Sequence, residues 1–284
     1  MKLKLIAALI AAPLLGFGMI SVHAENADLK TVSGLKMPES VATGRDGKLY
    51  VSEIGEFGKD GDGQISIVDS DGKLHAFATG MDDPKGIVFI GKDLYVADKT
   101  RVLKVTPDGK WQVFAGADAF PIKPQFLNDL EADGLGNIYV SDSGDTNKGG
   151  AIFRINKNGK VATVVDSSNP LVLAPNGLLL GAHGTLLEVD LSSGILYSIK
   201  LKSGEMTKVA EGFGGGDGLM RGPNGMLYVS DWKNGRVFSV DKKGGVKQIK
   251  DGFKSAADIG LSADHKSIIV PDMKAGELVW LPLP

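Results

Sequence analysis

The stretch Ala174-Pro175-Asn176-Gly177-Leu178-Leu179-Leu180 places a polar residue, then a glycine, at the mouth of an apolar run. The pattern of a polar anchor, a small residue and an apolar strand recurs six times, at Glu39 (PESVAT), Lys85 (PKGIVF), Asn128 (LNDLEA), Asn176 (PNGLLL), Asp217 (GDGLM) and Asp258 (ADIGL). Each anchor is followed 13 or 14 residues later by an acid that ends a second strand. These acids are Glu53 (LYVSE), Asp98 (LYVAD), Asp142 (IYVSD), Asp190 (LLEVD), Asp231 (LYVSD) and Asp272 (IIVPD). The anchors lie 41 to 48 residues apart. A fixed period of that size, with several short strands per unit, predicts a β-propeller.

Each unit reads alike. The anchor opens the innermost strand, and a turn such as Gly44-Arg45-Asp46-Gly47 leads to the second. A loop leads to the third strand, and an Asp-Gly or Asn-Gly hairpin such as Asp71-Gly72 or Asn158-Gly159 leads to the outer fourth. Residues 28–35 resemble the outer strand of the other units but precede the first anchor, and the sixth unit stops after its third strand at residues 277–281. The expected architecture is therefore all-β: six four-stranded blades, closed by pairing the N-terminal strand with the last blade, which also removes an open sheet edge. The domain is expected to span residues 25–284.

Composition agrees and excludes several classes. Glycine makes up 39 of 284 residues, about double the usual ~7%, and sits mostly in turns. The formal charge of −2 argues against a nucleic-acid partner. There is no cysteine, so disulfides, thiolate nucleophiles and thiolate metal sites are excluded. Residues 1–24 read as a secretory signal peptide: Lys2 and Lys4, an apolar core at 5–15, and the small-residue cleavage site Val22-His23-Ala24. Pro13 and Gly16 break the apolar run, which argues against a membrane anchor. The mature protein is expected to be periplasmic or secreted, with no membrane association after cleavage.

In a propeller the inner strands surround the axis, so the six anchors are expected to face one another. None is His, Ser or Cys. Glu39, Asn128, Asn176 and Asp217 offer carboxylate and amide oxygens with two formal negative charges. That set suits a hard divalent cation, since calcium takes about six to eight oxygens and zinc prefers imidazole or thiolate. Asn176 in Pro-Asn-Gly competes with a plain turn reading, and Pro223-Asn224-Gly225 is such a turn, but only Asn176 stands at an anchor. Asp129 is a rival or supporting partner for Asn128. Glu39 and Asp217 would be unfavourable on the axis without a cation. Asp258 is either a solvated tunnel acid or a functional one. Lys85 is expected to polarise a substrate oxygen, or to pair with Glu39 or Asp258 and stand in for the metal. The second-strand acids recur in every unit, which favours a structural role as acceptors for loop N–H groups. Asp60-Gly61-Asp62-Gly63 lacks the closing Glu of an EF-hand. The loops at 54–63, 143–150 and 120–126 are long, and are expected at the face where the anchors emerge.

These motifs resemble the senescence-marker-protein/gluconolactonase (regucalcin-like) family of six-bladed propellers, related to diisopropyl fluorophosphatase and paraoxonase. The resemblance covers essentially the whole mature chain. It implies a divalent metal, usually calcium, with magnesium, manganese or zinc as alternatives. Its ligands would be Glu39 in PESVA, Asn128 in FLNDL, Asn176 in APNGL and Asp217 in GGDGL. Where paraoxonases carry a catalytic histidine at the second anchor, this chain has Lys85. His75, His183 and His265 fall in outer strands or turns and His23 in the signal peptide, so none takes that role. The implied activity is hydrolysis of a lactone or related small ester, with Asp217 activating water, Asn128 positioning water or substrate, and Lys85 and the loops near Phe57, Phe126 and Trp232 shaping the pocket. The alternative is a non-catalytic propeller of NHL-type repeats, a periplasmic binding or interaction module with a protein partner. A quinone-dependent sugar dehydrogenase is a weaker rival, because its axial histidine and basic cofactor contacts are missing. Serine-hydrolase, zinc-protease and P-loop motifs are also absent from the sequence.

Overall fold

The structure, a computed structural model, describes residues 29–284. The expected signal peptide at residues 1–24 lies outside the described residues.

Six antiparallel four-stranded sheets follow one another around the ring. The innermost strands of blades 1 to 5 are Pro38–Thr43, Pro84–Ile90, Leu127–Ala132, Pro175–Leu180 and Gly216–Arg221. Blade 6 is closed as expected: Thr31–Ser33 pairs antiparallel with Glu277–Pro282, with Val32 opposite Leu278. The second strands, such as Leu49–Glu53 and Leu227–Asp231, are buried along their whole length. The outer strands are the wettest, and Val246–Lys250 has no buried residue. This gradient explains the composition of the strands: β-branched and aromatic residues fill the middle of each blade, and lysines sit on the rim.

The cores lie between blades. Val51, Val41, Val32 and Leu278 join blade 1 to blade 6. Ile65, Leu103 and Val96 join blade 1 to blade 2. Edge-to-face aromatic pairs reinforce these seams, among them Tyr50 with Phe89 at 5.0 Å and Phe120 with Phe153 at 5.1 Å.

The second-strand acids hold the loops that precede the anchors. Asp98 accepts the N–H groups of Asp82 and Asp83, and Asp142 those of Gln125, Phe126 and Gly144. Asp190 accepts from Leu173, Ala174, Ser192 and Ser193, Asp231 from Gly215 and Asn234, and Asp272 from Lys254 and Ser255. Glu53 accepts from Lys36. Each acid thus satisfies backbone donors just before an inner strand, as its repetition implied.

One expectation about the ring needs correction. In blades 1 to 5 the residue before the anchor pairs with the second-strand acid, as in Pro38 with Glu53 and Gly216 with Asp231. In blade 6 the residue bridged to Asp272 is Ala256, and the inner ladder shrinks to Gly260–Leu261. The anchor position of blade 6 is therefore Ala257. Asp258 is one residue further along, level with Ser40, Gly86, Asp129, Gly177 and Gly218. Counting from the acid misplaced it, because the first hairpin of blade 6 is one residue longer.

Candidate metal centre

The anchors are brought to the axis by close strand packing one residue further on. A Cβ at Gly86 would lie 2.5 Å from the Asp129 Cα, one at Gly177 2.1 Å from the Asp217 carbonyl oxygen, and one at Gly218 2.4 Å from the Ile259 nitrogen. Only glycine fits such a gap between backbones. The remaining members of this layer reach sideways: Ser40 donates to Asp258 Oδ2, and Asp129 accepts the Leu178 N–H at 2.6 Å.

Above this layer, Glu39, Lys85, Asn128, Asn176 and Asp217 line the floor of one cavity of about 380 Å³. All five are buried. Glu39 Oε2, Asn128 Oδ1, Asn176 Oδ1 and Asp217 Oδ1 each lack any hydrogen-bond partner. A buried polar atom without a partner costs about 1–3 kcal/mol, and four of them at one floor form an acceptor set whose chemistry fits a cation. The structure brings together all four sequence-predicted ligands. Among the described residues no group of three or more His, Cys, Asp or Glu is placed to hold a metal ion by itself; half of this donor set is amide oxygen.

The electrostatics point the same way. Burial, then Asp217 and Asp258, push the Glu39 carboxyl well above the usual range, with Lys85 opposing. Burial, then Asp258 and Asp231, do the same to Asp217. Asp258 itself is raised to about 7 by burial, with the Ser40 hydrogen bond opposing. A cation at this floor would oppose these shifts and favour the ionised carboxylates.

Lys85 does not supply that charge directly. Its Nζ donates to the Asp83 carbonyl at 3.1 Å and lies 4.1 Å above the Phe126 ring centroid. Among the described residues it forms no ion pair with Glu39 or Asp258, which argues against its replacing the metal. Burial lowers its pKa, against the pull of Asp83 and Glu39. His183 and His265 are exposed turn residues at positive φ (55° and 59°), and His75 faces Asp69 at 3.0 Å on the outside. The cavity holds no histidine.

Two neighbours of the ligands were not singled out from the sequence. Ser143 accepts the Asn128 Nδ2 hydrogen at 3.1 Å and donates to the Pro175 carbonyl at 2.8 Å. It thereby turns the Asn128 oxygen toward the cavity and ties blade 3 to the residue before Asn176. Glu188 is 1% exposed, and its Oε1 has no partner. The equivalent residues of the other blades are Val51, Val96, Val140, Val229 and Val270. That mismatch between repeats was the available signal for Glu188. For Ser143 the signal was weaker: a serine directly after a loop-holding acid, in one of the long loops.

The long loops meet here as expected. Phe57, Phe126, Thr146 and Asn147 line the cavity, joined by Ile54, Leu191, Trp232 and Met273.

The family profile for the SMP-30/gluconolactonase/LRE-like region matches residues 81–256. The chain belongs to this family. The SMP-30/gluconolactonase assignment makes the fold a lactonase-like propeller. By sequence, no curated protein matches the chain. Among solved structures, a gluconolactonase from Xanthomonas campestris is 16% identical over 91% of each chain, with a TM-score of 0.74. A virginiamycin B lyase from Staphylococcus aureus is 16% identical, covers 90% of this chain and 99% of its own, and has a TM-score of 0.63. A streptogramin B lyase is 14% identical over 90% of this chain and 97% of its own, at a TM-score of 0.64. At such identities these likenesses establish the shared propeller fold and nothing finer about SMP-30/gluconolactonase chemistry.

Proposed function

We propose that the protein is a divalent-metal-dependent hydrolase of a lactone or related small ester, exported to the periplasm or beyond the cell. The observation that carries this reading is the set of four buried oxygens without partners, one from each of four blades, on the floor of a single cavity. Glu39, Asn128, Asn176 and Asp217 would hold the cation, calcium by the hardness of the donors. When bound, a divalent cation supplies a Lewis acid for the carbonyl and a counter-charge for the oxyanion.

The chain's own residues do the rest. The Asp217 carboxylate takes a proton from the attacking water and passes it to the alkoxide released from the ring. Asn128 gives one amide hydrogen to Ser143, which leaves its oxygen for the floor and its second N–H to position water or substrate. The Lys85 ammonium uses one hydrogen on Asp83, and its others remain to donate to a substrate oxygen. The apolar walls keep bulk water from the floor.

The test is calorimetric titration of the mature protein with calcium, beside Asp217→Ala, followed by lactone hydrolysis with and without chelator. Stoichiometric binding lost in the variant, and turnover lost with chelator, are expected. Failure of the wild type to bind any of calcium, magnesium, manganese or zinc would sink this reading.

A further inference from the structure

The floor and the walls of the cavity differ in chemistry. The floor is oxygen-rich. The walls are mainly apolar, with Ile54, Phe57, Phe126, Leu191, Trp232 and Met273, and carry Thr146, Asn147, Ser192 and Lys233 among them. Two of the donors at these walls are already committed. The Trp232 indole N–H reaches the Met273 sulfur at 3.3 Å, and the Asn147 amide reaches the Asp145 carbonyl at 3.3 Å.

The aromatic groups are held in place. Phe57 and Phe126 stack with centroids 6.4 Å apart and planes 28° apart. Phe57 is 44% exposed, yet its loop is tethered: the Gly58 N–H donates to Asp83 Oδ1 at 3.1 Å, and Lys99 pairs with Asp60. Lys274 Nζ sits 4.2 Å over the Trp232 ring and fixes it beside the cavity. An exposed phenylalanine pinned over an apolar cavity is a surface waiting for an apolar group.

We propose that the ligand is a lactone bearing an aryl or alkyl substituent, gripped by Phe57, Phe126 and Trp232 with its ester carbonyl toward the floor, and not a polyhydroxylated sugar lactone. This rests on the hydrolase reading for the chemical step, though not for the binding preference. A sugar lactone carries a hydroxyl on most of its carbons, and each one buried here without a partner weakens binding by roughly tenfold. An apolar substituent gains from the same walls.

The experiment compares kcat/KM for phenyl- and hexyl-substituted δ-lactones with that for glucono-δ-lactone, using the calcium-loaded wild type and Phe57→Ala. The apolar-to-sugar ratio is expected to exceed about 10 in the wild type and to fall by roughly five- to tenfold in the variant. A ratio at or below one, or a ratio that Phe57→Ala does not move, overturns the proposal. Calorimetry with the corresponding lactams separates the two readings. If no lactone is hydrolysed, the hydrolase reading fails; tighter binding of the phenyl or hexyl lactam than of gluconolactam, weakened by Phe57→Ala, still sustains the apolar ligand. No preference among lactams overturns it.

Discussion

Replacing Glu188 by valine is expected to make the protein more stable. Five blades carry valine at this place in the second strand, so the backbone there accepts it without change, and the two side chains have similar volumes. Glu188 is 1% exposed with an unpartnered Oε1, and the one group that favours its ionised form is the backbone N–H of Asn176. Removing one buried unpaired acceptor is worth about 2 kcal/mol, of which the Asn176 N–H that loses its partner takes back a share, leaving roughly 1 kcal/mol or a Tm rise of about 2–4 °C. The gain depends on pH. Burial, with Asp190 adding, raises the Glu188 pKa, so the folded protein keeps a proton that the unfolded chain releases in the ordinary carboxylate range. The wild type therefore loses stability as pH rises above that range, and the advantage of Glu188→Val grows with it. Urea unfolding of both proteins in chelator at pH 4.5 and pH 8 measures this. The same substitution frees the Asn176 backbone, so calcium affinity should fall several-fold while stability rises. A variant that is less stable than the wild type at pH 8, or whose gain is the same at both pH values, would refute the reasoning.

Two further outcomes follow from neighbouring groups. Burial pushes Glu131 from 4.5 to about 7, so its contribution to stability is present below about pH 4.5 and lost by pH 7, about 3 kcal/mol across the interval; Glu131→Gln should flatten unfolding free energy against pH by that share, and an unchanged slope would count against it. Ser143→Ala should weaken calcium binding by about tenfold, because the Asn128 amide is then free to turn its nitrogen inward, whereas in an Asn128→Asp background the same change should cost nothing. Equal losses in both backgrounds would show that Ser143 does not orient the amide.

Much of this molecule was legible in the chain because each blade repeats one solution to one problem. The acid ending LYVSE, LYVAD or LYVSD recurs because every blade must hold the loop before its inner strand, and that repetition separated structural acids from the anchors. The four oxygen donors were legible for the opposite reason: they differ from blade to blade where the scaffold does not require it. Asp258 misled because strand register depends on hairpin length and on the bulge beside the anchor, which spacing alone does not reveal. Ile54, Leu191 and Met273 look like ordinary core residues in sequence, and only the closing of the ring turns them into cavity walls. Ser143 acts through a hydrogen bond between blades, which local sequence does not encode.

The pairing of Thr31–Ser33 with Glu277–Pro282 also sets an order in time. Blades 1 to 5 each use four consecutive strands and can form as local units. Blade 6 must wait for contacts across about 250 residues, from Thr31 to Val279, the kind of long-range closure that slows folding. Until that step, both partner strands present unpaired edges, and Glu39 in blade 1 has no fixed position relative to Asp217 in blade 5. The centre is thus assembled last, by the same event that hides the edges. A chain halted before closure has neither a complete candidate site nor protection from pairing with a second copy through the strand that its own N-terminal segment should have covered.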